Sequence, residues 1–358
     1  MNLYILNQEF AIVDIIDTFT SLIWNHAFYG YGDFELYTKC NAAFIQSLRK
    51  DYYIVRECDI LRNGDVIEGF QNVMIIEDFQ IQTDVENGDY LIVVGFGLKH
   101  LVTRRVVENQ TNMSGYVHSC IKQLLNENVI NPTNSARKIE GFVFSDEYAT
   151  TQTMSRQATG DNLGDLIIEI CQNFRIGWDI VIKNNQYIFV LYDGIDHSYN
   201  QSANNYVVFS REFDNLLSSD YTEKNSEMKN VAIVAGEGEG LQRKKITVGN
   251  ATGLDRREMW VDSRNSSTND GQISDVDYYK MLTQEGEEAI AEQSATTSFT
   301  GEADTTKTYI LHNDFDLGDI VEVVNDYGIH CAARITEIVE SIDENGTNVL
   351  PTFQYEGS

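Results

Sequence analysis

The sequence predicts an α+β chain that is mainly β, with strand-rich segments at both ends and an α+β segment inserted between them. Three observations carry this expectation. Aromatic residues make up 11% of the 358 positions, with 19 Tyr and 17 Phe, and together with β-branched residues they suit pleated, half-buried surfaces. Turn signals recur at short, irregular spacing through residues 1–103 and again through 206–358, a pattern that suits a barrel or a sandwich. Helical periodicity is strongest between them, in residues 104–205. The length exceeds that of one compact domain. No Pro-rich or Gly/Ser-rich linker separates the segments, and only 2 prolines occur, so tightly docked or interleaved units are expected.

In the first segment, strands are expected at Leu3–Leu6, Ala11–Ile16, Ser21–Tyr29, Asp33–Tyr37, Tyr52–Arg56, Asn72–Gln82 and Tyr90–Val94. Turns fall at Gly30-Tyr31-Gly32, Arg62-Asn63-Gly64-Asp65 and Asn87-Gly88, where Gly and Asn tolerate left-handed backbone. In the second, Ser114 is placed to cap a helix carrying Val117, Cys120, Ile121 and Leu124 on one face, ending before Pro132. A second helix begins at Gly160-Asp161-Asn162 with Leu163, Leu166, Ile167, Ile170 and Phe174 in helical register, and Gly177 stands where a C′ glycine belongs. Strands Trp178–Ile182 and Tyr187–Tyr192 follow around an Asn184-Asn185 turn. In the third, strands are expected at Tyr206–Phe209, Val231–Ala235, Lys244–Val248 and Arg257–Val261, then a helix through Val276, Tyr279, Leu282, Gly286, Ala289 and Ile290. A closing meander runs through Thr308–His312, Asp319–Val324, Ile329–Ile342 and Val349–Tyr355, with turns at Asn325–Gly328 and Asp343–Gly346.

Charge excludes one class of partner. The chain has 55 acidic and 26 basic residues, a net charge of −29, and the excess runs through both halves. Nucleic acid is bound through clustered Lys and Arg, so a surface of this sign repels it. The five cysteines (Cys40, Cys58, Cys120, Cys171, Cys331) form no C-x-x-C pair; reduced, mostly buried thiols are expected, as in a reducing cytosol. The N-terminus MNLYILNQEF lacks the basic region and cleavage site of a signal peptide. The longest apolar run, Tyr90–Leu98, falls far short of the roughly 20 residues that span a bilayer, so no stable membrane insertion is expected.

Catalytic motifs are sparse. Gly236-Glu237-Gly238-Glu239-Gly240 matches neither the dinucleotide fingerprint nor a P-loop, and its glutamates repel phosphate; a loop between two strands is the simpler expectation. Asp314-Phe315-Asp316-Leu317-Gly318-Asp319 lacks the spacing of a calcium loop and is expected to be a turn. None of His26, His100, His118, His197, His312 and His330 makes an i, i+4 metal pair, and no nucleophile elbow occurs. No cofactor, metal site or enzymatic activity is expected. Asp255, Arg256, Arg257 and Glu258 form a dense charge cluster: a solvated strand edge is the simpler expectation, and ion pairs between subunits are the alternative, because Arg pairs carboxylates in bidentate fashion.

Several stretches, taken in order, resemble a known family. They are Ser21-Leu22-Ile23-Trp24, Gly32-Asp33-Phe34-Glu35-Leu36, Asp89-Tyr90-Leu91, Gly160-Asp161-Asn162-Leu163, Phe213-Asp214-Asn215-Leu216-Leu217, Lys229-Asn230-Val231-Ala232 with the following GEGEG, Gly253-Leu254-Asp255-Arg256-Arg257-Glu258, and Leu317-Gly318-Asp319. As a set they are similar to the siphophage ReqiPepy-type tail protein family, over nearly the whole chain. That resemblance implies a homotrimeric baseplate or tail-tip hub, a structural virion protein made in the host cytoplasm. It implies two tube-like β-barrel domains, 1–103 and 206–358 (the latter with one helix), around the α+β insert 104–205. Implied partners are a distal tail protein or tail tube ring, the tape measure protein, and receptor-binding or lysin proteins of the tip. DNA would pass through a carboxylate-lined lumen without specific binding. A cell-wall glycosidase, a receptor- or carbohydrate-binding tail module, and the hub of a contractile bacteriocin particle are the alternatives.

Overall fold

The computed structural model describes all residues except 60, 63–64, 67–68, 86–87, 270, 304–307 and 356–358. The first segment contains β1 (Leu3–Leu6), β2 (Ile12–Ile16), β3 (Ser21–Ala27), β4 (Asp33–Lys39), a short helix α1 (Ala42–Ser47), β5 (Tyr53–Arg56), the two-residue strands β6 (Leu61–Arg62) and β7 (Asp65–Val66), β8 (Met74–Asp84) and β9 (Gly88–Gly97). The insert contains β10 (Thr111–Tyr116), α2 (Val117–Leu125), β11 (Phe142–Phe144), β12 (Thr153–Ala158), α3 (Leu163–Phe174), β13 (Gly177–Lys183) and β14 (Gln186–Tyr192). The third segment contains β15 (Val208–Ser210), β16 (Leu216–Lys224), β17 (Val231–Ala235), β18 (Lys245–Val248), β19 (Glu258–Asp262), α4 (Asp275–Glu292), β20 (Thr296–Ala303), β21 (Ile320–Val324), β22 (His330–Asp343) and β23 (Gly346–Tyr355).

The two ends of the chain share one sheet. Its strands run β16-β20-β23-β22-β3-β4-β9-β8-β5-β1-β2, with β21 beside β22 and β15 beside β21, 13 strands in all. The joint is β22. Its first half, His330–Arg334, pairs with β21, and its second half, Glu337–Ile342, pairs with β3. The expected pair of separate closed barrels is therefore not what the single chain forms: among the described residues the sheet is continuous and open, ending in β2 and β16. The physical reason is the length of β22, whose 14 residues outreach the partner on either side and bridge both.

Alternation places the cores. Along β3 and β4, Leu22, Trp24, Phe34 and Leu36 point inward and are fully buried with Val93 and Leu91 of β9. Emptying such a site by Trp→Ala costs about 3–5 kcal/mol. A second core under the other end of the sheet gathers Phe209, Phe315, Val321, Ile335 and Phe353. The insert packs α2 and α3 against the first segment, so that Phe28, Tyr53 and Val73 share a core with Ile121, Leu166 and Trp178. A fourth, smaller unit has β17 at the centre of a three-stranded sheet, antiparallel to β18 and parallel to β19, with α4 over one face.

Most expected elements appear within one to three residues of their predicted ends, and five expectations need correction. Ser114 does not cap a helix; it lies in β10 opposite Ser155, and that pairing holds the backbone extended to Tyr116, so α2 starts without a side-chain cap. Gly177 is not the C′ residue: Arg175 takes the left-handed conformation at φ 57°, and Gly177 begins β13. A Cβ there would lie 2.2 Å from the Phe28 ring, so its role is steric. Thr308–His312 is a loop with one bridge, Leu311 to Phe315, in place of a strand. Helix α4 buries Tyr278, Met281, Leu282 and Gly286, whereas Val276 is exposed. Cys120 and Cys171 are buried, but Cys40 and Cys331 are only partly so and Cys58 is exposed. Of the expected turns, Asn63, Gly64 and Asn87 lie outside the described residues, although Arg62 does pair with Asp65.

Candidate functional site

Three features stand out: a polar junction, the core-distal face of the large sheet, and the charged surface of the β17–β19 unit. The junction is where first segment, insert and third segment meet, around a cavity of about 470 Å³ lined by His26, Asp59, Asp179, His312, Asp316 and Asp319 among others. Arg56, only 1% exposed, binds Asp59 at 2.7 Å and Glu340 at 2.5 Å and stacks on Trp24 at 5.0 Å. Burial pushes the Glu340 carboxyl up, but the His26 hydrogen bond and the Arg56 charge outweigh it and hold the group at about 2. Nearby, Lys99 donates to the carbonyls of Ala27 and Phe28, and burial pushes its ammonium down to about 8.

Every carboxylate around the cavity already serves its own fold. Asp59 also accepts from Asn72 Nδ2 at 2.7 Å, and Asp179 from the Ile180 amide at 2.7 Å. Asp193 accepts from the Tyr148 hydroxyl at 3.0 Å, and Asp316 from the Leu317 amide at 2.8 Å. Asp319 accepts from the Ile195 and Asp316 amides, both at 2.7 Å. These groups position backbone and stitch segments together. Among the described residues no group of His, Cys, Asp and Glu could hold a metal ion, and no helix is long and apolar enough to cross a membrane.

The core-distal face of the large sheet is acidic. Register puts Asp33, Glu35 and Asp78 on it in the first segment: Ile23 lies opposite Glu35, and Val94 lies opposite both Glu35 and Asp78. Across β22, Glu337 lies opposite Thr352, Thr352 opposite Thr300, and Thr300 opposite Asp220. Asn25 Nδ2 ties Asp33 and Glu337 together, at 2.8 Å to each.

Asp255, Arg256, Arg257 and Glu258 lie on the β17–β19 unit, at the start of β19. Arg256 Nε binds Glu258 at 2.6 Å. The Asp255 carbonyl accepts from Asn230 Nδ2, and Arg257 donates to the Asn225 carbonyl. The cluster thus braces the entry to β17 and β19, and the junction cavity contains none of it. The Gly236–Gly240 segment is a loop, as expected. Glu237 takes hydrogen bonds from Thr268 and an ion pair from Lys244 at 3.0 Å. Sequence reasoning passed over Arg56, His26 and Glu340. The signal was present: strand alternation puts His26 on the same face as Leu22 and Trp24, and a polar group on a core face needs a buried partner.

Comparison with known proteins agrees with this architecture. Residues 2–353 match the family model described as Siphovirus ReqiPepy6 Gp37-like protein. A search of curated protein sequences finds no match. A tail protein from Neisseria meningitidis MC58 has a similar fold, with TM-score 0.59 and 12% identity over 99% of this chain and 96% of that one. So does the 43 kDa tail protein of prophage MuSo2 from Shewanella oneidensis, with TM-score 0.57 and 12% identity over 99% and 98%. A chain of the Francisella PdpA–VgrG complex reaches TM-score 0.50 and 12% identity over 99% of this chain and 52% of its own. By its family match the chain belongs to the siphovirus ReqiPepy6 Gp37-like proteins, and it shares its fold with phage tail proteins.

Proposed function

We propose that this chain is the structural hub of the tail tip: three copies form a ring that closes the distal tube and joins it to the proteins of the tip. The observation that carries this reading is the single sheet running through both ends of the chain, with one core-distal face studded by Asp33, Glu35, Asp78, Asp220 and Glu337. Each lobe of that sheet, centred on residues 1–103 and 206–358, supplies one tube-like wall, and its barrel is completed by neighbouring copies. The acidic face lines the bore, where carboxylates repel phosphates and let DNA slide past without adhering.

The distal tail protein or the last tube ring sits above the hub, the tape measure protein ends at it, and receptor-binding or lysin proteins attach below. The insert stiffens the wall through the core that its helices share with Phe28, Tyr53 and Val73. No catalytic step is assigned to the chain, because the carboxylates at its cavity are held as structural acceptors. Imaging the assembled tip tests the reading. Three copies around a channel whose wall presents these five carboxylates support it. A monomer in the tip, or a neutral or basic channel wall, overturns it.

A further inference from the structure

The unit built from β17, β18, β19 and α4 hangs from the large sheet by two adjacent strands. The chain enters it after Lys224, the last residue of β16, and leaves it at Thr296, the first residue of β20, and these two residues are a register pair. The unit's three-stranded sheet shares no strand with the large one. Its apolar core is drawn from residues 232–290 alone, and the cores of the other segments take no residue from it. A body with its own core on such a stem moves relative to its neighbours unless a large apolar interface fixes it.

Polar contacts fasten it to the insert. Gln110 Nε2 donates to Asn269 Oδ1 at 3.1 Å, the Ser267 amide to Gln157 Oε1 at 3.2 Å, and Arg156 Nη1 to Glu288 Oε2 at 3.1 Å. A gap of about 280 Å³ runs along the same seam. Arg156 is its centre, and its guanidinium is already committed to Glu169 of α3, Nη1 to Oε1 at 2.5 Å and Nη2 to Oε2 at 2.8 Å. Glu288 of α4 is 5% exposed. It is thus a second carboxylate buried on one cation.

Nothing else at the seam offsets that second charge. The other groups lining the gap include Asp161 from the insert and Glu285 and Glu292 from α4, all acidic, and no lysine or further arginine is among them. Asp262, at the end of β19, is taken by Arg243 and Arg264. Gln284 gives Glu288 its remaining hydrogen bond, at 3.1 Å. A buried carboxylate without its own counter-charge favours the neutral acid, and accordingly burial raises Glu288 to about 7 against the pull of Arg156.

We infer that this unit is a hinged lobe, clasped to the insert through Arg156 and Glu288, which takes up a proton on closing and swings out about the β16–β20 stem as the medium turns alkaline. When the lobe opens, water reaches Glu288 and its carboxyl returns to the ordinary 4.5. Closure is therefore fullest below 4.5 and is lost as pH rises through about 7. The device belongs to a single copy of the chain and stands whether or not the ring forms.

The test is amide hydrogen exchange on the full chain, corrected for base catalysis. The Ser267 amide reports on the seam because its acceptor lies across it, whereas the amides that pair β17 with β18 lie within the lobe. Between pH 6 and pH 8 the protection of Ser267 is expected to fall about tenfold while that of β17 and β18 holds. Glu288→Gln, neutral at every pH, is expected to keep Ser267 protected across the range. Arg156→Gln is expected to expose Ser267 even at pH 6 and to enlarge the radius of gyration in small-angle scattering. Should that variant unfold, with β17 and β18 losing protection too, the Glu288→Gln comparison still decides. Ser267 protection that ignores pH, that falls just as steeply in Glu288→Gln, or that always falls together with β17 and β18 overturns the inference.

Discussion

Arg56 and Glu340 lie 284 residues apart in sequence and meet at 2.5 Å inside the protein. The pair crosses the seam that β3 and β22 make between the two ends of the chain, and Asp59 completes it. Removing one member of a buried ion pair strands the others in a medium that solvates them poorly. Arg56→Ala is therefore expected to lower stability by about 3–5 kcal/mol, read from urea unfolding at neutral pH. A loss below about 1 kcal/mol would show that water reaches the site.

Two buried glutamates give opposite pH dependences. Glu340 is depressed from its ordinary 4.5 to about 2. Its contribution is present above 4.5 and is lost as pH falls through about 2, on the order of 3 kcal/mol in all. Glu288 is raised from 4.5 to about 7 by burial, against the pull of Arg156. Its contribution is full below 4.5 and is lost as pH rises through about 7, by a similar amount. Urea midpoints across this range should rise from pH 2 to 4.5 and then decline. Glu340→Gln should flatten the first limb and Glu288→Gln the second. Both limbs surviving in both variants would refute the assignment.

Gly194 touches the backbone of Gly318. A Cβ on Gly194 would lie 1.8 Å from the Gly318 carbonyl oxygen, and Ile195 next to it is bound to Asp319. Backbone cannot rotate away as a side chain can. Gly194→Ala is expected to cost about 3 kcal/mol or more, at the upper end of overpacking effects, seen as a fall in Tm by calorimetry.

Reversing the charge of the proposed bore should slow DNA exit without unfolding the chain. Glu35, Asp78 and Asp220 are exposed and lie on the core-distal face. The triple Lys variant is expected to melt near the wild-type temperature, while particles carrying it release DNA more slowly at low ionic strength. Recovery with added salt is the signature of phosphate attraction. Unchanged release kinetics would place these residues away from the path.

The proposed hub acts by shape and charge, so zymography of purified cell wall with this chain alone should show no clearing. A clearing zone that persists through repeated purification would return the glycosidase reading to favour.

Local chemistry made much of this fold legible. The periodicity of Leu163 to Ile170 after Gly160-Asp161-Asn162 gave α3, and the Asn184-Asn185 turn, with both residues at positive φ, gave the β13–β14 hairpin. Strands β16 and β20 were missed because LLSSDYTEK and TTSFTGEA lack apolar alternation; long-range pairing imposes their extended form. The register of α4 was misplaced because Tyr278, whose hydroxyl bonds the Glu237 amide and the Ser266 carbonyl, is drawn inward by tertiary partners. The Arg56 site escaped notice because a lone Arg ending a strand looks solvated until its partner, from the far end of the chain, is placed beside it. Charge sign, visible in composition alone, needed the sheet register before it resolved into a face.

Strand β22 also sets an order of events in the cell. A nascent chain leaves the ribosome N-terminus first, yet β3, paired on one side with β4, finds its other neighbour only in residues 337–342. Until residues 337–342 have been made, the N-terminal lobe carries a raw edge, a state prone to mispairing with other chains. Late closure of that edge makes the N-terminal lobe wait on a strand made far downstream, so copies truncated before β22 lack the strand that covers it.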